Sequence, residues 1–262
     1  MIVDFHSHTL QSDGTLSAQE LLDAMLSRGV SVCSITDHDT LAAYRGLDIP
    51  PRLRVIPGIE INTTYNGNEV HILGYGLPLG DAELGRVLER NREARRSRMA
   101  AMVKQLRSAG YEITMGQVLA ESGGGESLGR PHVGKALVRH GHVADIQSAF
   151  KELLRRGKPG YVPALHIAPQ EAIDVINASG GIAVLAHPGR LYDYDIIDEF
   201  ARSGLRGLEV FYPTHEPAQV QYFRDKAKRC KLVMSGGSDF HDIRYHRSGV
   251  GMEVERHDID PF

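Results

Sequence analysis

The sequence predicts an α/β protein laid out as a (β/α) barrel and interrupted by a helical insertion. Strand and helix signals alternate over residues 1–79 and resume from about residue 160. Between them lies an Arg-rich stretch with helical periodicity and no convincing strand. Residues suited to metal binding or acid–base chemistry recur around the strand ends, where barrel active sites are built. The expected division is therefore a barrel over 1–79 and 164–262, with a helical insertion over 80–163. The strand count is nearer seven than eight. An open doubly wound sheet is the alternative, and it fits less well because ligand-type residues come from nearly every strand rather than one switch point.

The first strand runs into Asp4-Phe5-His6-Ser7-His8. Side chains alternate along an extended strand, so His6 and His8 share a face, about 7 Å apart along the chain. Ser17 is placed to cap a helix, Glu20 completes a capping box, and Leu21, Leu22, Met25 and Leu26 form the apolar stripe. Gly29 ends that helix, and residues 30–35 read as a buried strand entering Thr36-Asp37-His38-Asp39. A strand at 54–56 leads through Pro57-Gly58 to Glu60, and Asn66-Gly67 is a hairpin turn between 61–65 and 70–73.

The insertion begins with a helix over 81–109, with apolar positions at Leu84, Val87, Leu88, Met99, Met102, Val103 and Leu106. Helical segments around 116–120, 132–139 and 146–155 follow, punctuated by the glycines at 123–125 and by Gly129-Arg130-Pro131. A helix at 169–179 then precedes a strand at 182–186 that ends on His187-Pro188-Gly189. Helices at 194–203 and 217–229 precede strands at 208–211 and 232–235, the second running into Gly236-Gly237-Ser238-Asp239-Phe240-His241.

Of the 262 residues, 42% are hydrophobic and 24% charged, a globular balance that argues against disorder. No apolar run approaches the roughly 18 to 20 residues that span a bilayer, and the first residues show no basic stretch followed by an apolar one, so an unexported protein is expected. The expectation is a soluble cytoplasmic protein with no membrane and no obligate protein partner. Cys33 and Cys230 abut apolar runs and read as core thiols. The net charge of −3 hides an asymmetry: residues 80–160 hold 15 Lys/Arg against 9 Asp/Glu, and the rest of the chain is acidic. An acidic body suits a carboxylate metal site, and a basic segment attracts phosphate.

Nine residues of metal-ligand type fall at or just past the expected strand ends: His6, His8, Asp13, His38, Glu60, His71, His187, Asp239 and His241. An ion takes about four to six ligands, so nine imply two or three ions. Imidazole and carboxylate without thiolate favour Mn²⁺, Zn²⁺ or Fe²⁺ over Ca²⁺.

The order His6-x-His8, Asp13, Thr36-Asp37-His38-Asp39, Gly58-Ile59-Glu60, His71, His187-Pro188 and Ser238-Asp239-x-His241 resembles the polymerase and histidinol phosphatase (PHP) family. The resemblance covers 1–79 and 164–262. It implies a distorted (β/α)7 barrel carrying a trinuclear centre of divalent ions, with Mn²⁺ expected first and Zn²⁺ or Fe²⁺ next. It further implies that His6, His8, Glu60 and Asp239 hold one ion, and that Glu60 bridges to a second held with His71 and His187. Asp13, His38 and His241 would hold the third. A hydroxide shared between ions would be the nucleophile, which makes Glu60 and Asp239 catalytic.

Gly129-Arg130-Pro131-His132-Val133 and the segment from Ala149-Phe150 to Gly157-Lys158-Pro159-x-Tyr161-Val162 resemble the stand-alone PHP phosphoesterases that act on nucleotides. The implied reaction is hydrolysis of the 3′-phosphate of a nucleoside 3′,5′-bisphosphate. Alternatives are a 5′→3′ exoribonuclease acting on short RNA, a histidinol-phosphate phosphatase, and a catalytically silent PHP interaction module. Arg130 suits bidentate phosphate recognition with His132 as a second donor, unless both cap the next helix. His215 falls where this subgroup has a strand-end histidine, as a phosphate donor or leaving-group acid. With no tryptophan, Tyr161, Phe211 and Tyr212 are the candidates for base stacking. Asp37 or Asp39 could orient His38. His140, His142, His166, His246 and His257 lie outside the pattern and read as surface or packing residues.

Overall fold

The computed structural model describes residues 1–244 and 249–259; His246 lies outside the described residues. Among the described residues nine strands form two sheets. The first contains β1 (Ile2–Asp4), β2 (Val32–Cys33), β3 (Arg54–Val55) and β9 (Met252–Glu253), in the order β3-β2-β1-β9. The second contains β4 (Gly58–Tyr65), β5 (Asn68–Tyr75), β6 (Ile182–Leu185), β7 (Gly207–Phe211) and β8 (Val233–Gly236), in chain order. Pairing is parallel for β1–β2–β3 and β6–β7–β8, and antiparallel at β9 and across β4–β5–β6.

The fold is thus mixed α/β, but among the described residues the ladders do not close into a barrel. The sheets meet at single parallel bridges, His38↔Glu60 on one side and Ser7↔Phe240 on the other. Backbone hydrogen bonds cross each seam without building a continuous ladder: Asp39 N donates to the Glu60 carbonyl at 3.0 Å on one side, and Phe5 N to the Gly236 carbonyl at 3.0 Å and His8 N to the Phe240 carbonyl at 2.8 Å on the other.

The hairpin forms as expected and is longer. Asn66 (φ +48°) and Gly67 (φ +74°) both adopt the positive φ of a tight two-residue turn, and pairing runs from Tyr65↔Asn68 to Gly58↔Tyr75. Only Ile72–Tyr75 of β5 pairs with β6, so the tip of the hairpin overshoots the sheet.

Helices cover the sheets. In α1 (Ala18–Ser27), Ser17 and Glu20 make the capping box, and Leu21, Leu22 and Met25 are buried. The 27-residue α2 (Ala82–Ser108) starts at the Asp81 cap and touches two separate apolar clusters. Its Leu84, Val87 and Leu88 pack with Ile59, Ile61 and Ile72. Its Met99, Met102, Val103 and Leu106 pack instead with α3 (Met115–Ala120), α4 (Arg130–Arg139) and the π-helical turn Ala149–Leu154 that continues α5 (Ile146–Ser148). The remaining helices, α6 (Pro169–Ala178), α7 (Ile196–Arg202) and α8 (Pro217–Cys230), lie against the second sheet. Cys33 and Cys230 are free thiols. Among the described residues no helix is long and apolar enough to cross a membrane.

Candidate active site

All nine ligand-type residues converge on one cavity or its buried wall. His6 and His8 follow β1, His187 follows β6, and Asp239 and His241 follow β8. Glu60 and His71, by contrast, lie inside β4 and β5. They reach the site because the hairpin overshoots: the His71 carbonyl accepts from Ala186 N at 3.1 Å, which sets His71 level with the end of β6.

The tightest group is His6, His8, Glu60 and Asp239. Glu60 Oε2 and Asp239 Oδ1 each lie 3.3 Å from both His6 Nε2 and His8 Nε2. A tetrahedron with edges of that length has its corners about 2.0 Å from its centre, the length of a metal–nitrogen or metal–oxygen bond. His6 Nε2, His8 Nε2 and Glu60 Oε2 are buried without a hydrogen-bond partner, as are His38 Nδ1 and Asp13 Oδ1. Polar atoms in that condition cost about 1–3 kcal/mol each unless something completes them. The donor set and the spacing fit a divalent cation.

A second group joins His8, Asp13, His38 and His241, with His241 Nε2 at 3.3 Å from Asp13 Oδ1. A third joins His38, Glu60 and His71, with Glu60 Oε2 at 3.0 Å from His38 Nδ1 and Glu60 Oε1 at 2.8 Å from His71 Nδ1. His187 Nε2 approaches Glu60 Oε1 at 3.1 Å from the other side. Glu60 therefore belongs to two of the three clusters and touches the other through His8 and His38.

The electrostatics have one sense. Burial pushes the Glu60 carboxyl up, but His38, His6 and His71 more than offset this and hold it well below the carboxylate range. Asp239 and Asp13 are likewise held ionised against burial by surrounding imidazoles. In the reverse direction His8 is pushed up to about 10, where Asp239 and Glu60 overcome burial. Three ionised carboxylates this close draw positive charge, here borrowed from imidazolium.

Strain is concentrated here too. Asp39 (φ +55°), His187 (φ +28°) and Asp239 (φ +52°) are non-glycine residues in the left-handed region, and all three border the site. The supports are explicit. Asp4 accepts from Ser238 N, Ser238 Oγ and Gly251 N, tying the Asp239 loop to β1. Tyr212 donates its hydroxyl to Asp239 Oδ2 at 2.7 Å.

Relatives decide what such a centre is. The chain is 35% identical over 256 residues to a 5′-3′ exoribonuclease Rnm of Salmonella typhimurium, covering 92% of this chain and 85% of that protein. It is 32% identical over 248 residues to a 3′,5′-nucleoside bisphosphate phosphatase of Chromobacterium violaceum, covering 91% and 87%. It is also 32% identical over 260 residues to a phosphoribosyl 1,2-cyclic phosphate 1,2-diphosphodiesterase of Eggerthella lenta, covering 97% and 99%. The chain belongs to the PHP family. A solved structure from Bifidobacterium adolescentis, assigned as a metal-dependent phosphoesterase, superposes with a TM-score of 0.82 at 30% identity, over 91% of this chain and 87% of that one. No family model matches. This PHP protein is accordingly a metal-dependent phosphoesterase, and its His/Asp/Glu clusters have the residue types and spacing to hold divalent metal.

Other expected site residues are placed differently. Arg130 opens α4 and lines the cavity, its NH2 at 2.7 Å from Glu69 Oε2 and its guanidinium over Phe150. Glu69 also pairs with Arg98 at 2.5 Å. His132 is a cap: its Nδ1 accepts from Gly129 N at 2.9 Å, and the side chain is buried away from the cavity lining. Tyr161 is not among the cavity-lining residues, and Phe211 lies under Arg224. His215 has both ring nitrogens engaged by backbone, Nδ1 with the Val210 carbonyl at 2.9 Å and Nε2 with Gly189 N at 3.1 Å. No ring N–H remains for a leaving group. Neither neighbouring aspartate orients His38. Asp37 accepts from Thr9 and Ser12, and Asp39 binds Asn62, Asn91 and Arg95.

Four residues that support the site escape the motif reading, Glu209 and three on α2. Glu209, fully buried on β7, takes His6 Nδ1 at 2.9 Å on one oxygen and His187 N at 2.6 Å on the other. One carboxylate thereby orients two candidate ligands, the arrangement that tunes metal-binding histidines elsewhere. On α2, Asn91, Arg95 and Arg98 are buried in the helix's own apolar stripe and grip Asp39, Asn62 and Glu69.

Proposed function

We propose that this enzyme hydrolyses nucleotide phosphate esters, with the 3′-phosphate of nucleoside 3′,5′-bisphosphates as its main target. The observation that carries this reading is a pair of cationic loci lining the same cavity as the ligand cluster. Arg98 and Arg130 share Glu69 at one, leaving a surplus positive charge, and Arg190 borders Asp239 at the other. A substrate with two phosphates uses both. Histidinol phosphate, with one, does not.

In this reading His6, His8, Glu60 and Asp239 hold one divalent ion, Glu60 reaches a second with His71 and His187, and Asp13, His38 and His241 hold a third, with Mn²⁺ expected. Bound ions supply charge to the phosphoryl oxygens and lower the pKa of water. Glu209 fixes the ring orientation of His6 and the backbone of His187. Tyr212 fixes Asp239, and Arg130 receives the phosphate that is retained. The segment 80–163 acts as a cap on a distorted (β/α)7 body, contributing Arg95, Arg98 and Arg130.

A second reading, 5′→3′ exonuclease action on short RNA, is favoured by relatives of that name being as similar as the phosphatase. The two separate when metal-loaded protein is offered a nucleoside 3′,5′-bisphosphate, a short 5′-phosphorylated RNA, histidinol phosphate and a ribose 1,2-cyclic phosphate in parallel. The bisphosphate is expected to give the highest kcat/KM, with release of inorganic phosphate. Faster release of mononucleotides from RNA would replace the first reading by the second, and no turnover of any substrate sinks both.

A further inference from the structure

Arg190 is the most exposed and the most loosely held of the cavity arginines. Arg95 is locked by Asp39, Asn62 and the Leu128 carbonyl. Arg98 is held by Glu69 and the Val162 carbonyl, and Arg130 by Glu69. Arg190 instead makes one polar contact, NH2 to Asp239 Oδ2 at 3.3 Å, and its side chain is 56% exposed. That oxygen already accepts the Tyr212 hydroxyl at 2.7 Å, so the arginine contact is the longer and weaker of the two. A guanidinium has five N–H donors in a planar fork that matches phosphate.

The position is nevertheless held firmly. The Arg190 guanidinium lies over the Tyr212 ring, 5.1 Å from its centroid, on the cavity wall that includes Asp239 and His187. Its backbone closes a turn, with Arg190 N donating to the His187 carbonyl at 2.9 Å. His187 N is fixed by Glu209, and Gly189 N by His215. Gly189 is required for that approach: a Cβ there would come 2.7 Å from His215 Cδ2. Ordering costs are thus met before any ligand arrives, and what is oriented is a half-solvated cation beside a metal-ligand carboxylate.

We propose that Arg190 is the protein's ligand for the phosphoryl group that reacts, binding its non-bridging oxygens from the Asp239 side, and that His215 is the positioning residue that aims it. The assignment rests on the phosphoesterase reading of the same centre. It separates two tasks: Arg190 serves the phosphate that leaves as product, and the Glu69-linked arginines serve the one that is retained. An anion bound over Tyr212 and Asp239 would also lengthen the Arg190–Asp239 contact, leaving Tyr212 to hold Asp239 alone.

The test uses the metal-loaded full chain and inorganic phosphate, the group shared by every candidate substrate. Arg190→Ala and Arg190→Lys are compared with the parent by calorimetric phosphate titration, metal content and kcat/KM. Arg190→Ala is expected to weaken phosphate binding about tenfold or more, the scale of a charge-assisted contact. It should lower kcat/KM with metal content unchanged, and Arg190→Lys should recover part of the loss. His215→Gln should lower kcat/KM in the same direction without shifting the pH profile, since it carries no proton to the leaving group. Phosphate affinity within twofold of the parent in Arg190→Ala overturns the proposal. Loss of bound metal in that variant also overturns it, by showing that Arg190 merely supports Asp239. If nucleotide esters are not hydrolysed but another phosphate ester is, with turnover and phosphate binding still dependent on Arg190, the nucleotide reading fails and this assignment stands.

Discussion

Replacing Glu209 by glutamine tests whether the metal centre is built from behind as well as from its ligands. Glu209 is fully buried, and its two oxygens accept from His6 Nδ1 at 2.9 Å and from His187 N at 2.6 Å. With a carboxylate against Nδ1, that nitrogen carries the proton and Nε2 presents a lone pair toward Glu60 and Asp239. Glutamine has almost the same shape but one acceptor. If its oxygen stays on His187 N, its NH2 faces His6 Nδ1 and forces the other tautomer, turning Nε2–H into the metal position. If the amide flips, His6 is satisfied but an NH2 opposes the buried His187 N–H, which costs about 1–3 kcal/mol. Either arrangement weakens the centre, and loss of such a partner lowers metal affinity by about 10- to 100-fold. The assay is competitive metal titration with a fluorescent chelator, followed by kcat/KM at saturating metal. Metal affinity and kcat/KM both within twofold of the parent would refute the role assigned to Glu209.

Asp239→Asn removes a carboxylate that faces His6 and His8, and is expected to abolish phosphate-ester hydrolysis and lower metal content, read by elemental analysis. Arg130→Ala should chiefly raise KM if Arg130 holds the retained phosphate, with kcat within a few-fold; unchanged kinetics would leave it a helix-start residue paired with Glu69. Gly189→Ala forces His215 away from its 3.1 Å contact and should reduce kcat/KM while leaving the melting temperature within a few degrees. Leu21→Ala, at a fully buried position in the cluster around Ile35 and Phe240, should cost about 2–5 kcal/mol in chemical denaturation without altering metal stoichiometry.

What was legible in the chain and what was not divide along physical lines. The gathering of histidines and carboxylates in one place could be read because metal chemistry restricts residue type and because most of them sit in or just past a strand signal. Closure of the sheet could not be read, because β1 and β2 are strands of three and two residues and the seams rest on a few backbone bonds beyond them, Phe5 N to the Gly236 carbonyl, His8 N to the Phe240 carbonyl and Asp39 N to the Glu60 carbonyl. His132 and His215 show a second limit. A ring nitrogen satisfied by a backbone group three to five residues away looks, in sequence, the same as one offered to a phosphate.

The α2 helix did carry a readable signal. Its buried stripe runs Leu84, Leu88, Asn91, Arg95, Arg98, Met102 and Leu106, at helical spacing throughout, so the three polar members occupy positions the helix buries. An amide and two guanidiniums enter such a stripe at several kcal/mol of desolvation unless partners are waiting. The partners are Asp39, Asn62 and Glu69, each within two residues of a candidate ligand: His38, Glu60 and His71. The same polar stripe therefore separates the helix's two apolar clusters and braces the metal centre. Repacking those three positions with leucine should accordingly gain apolar burial and weaken the centre, because Asp39 would be left buried without its Arg95 partner and Glu69 would keep only Arg130.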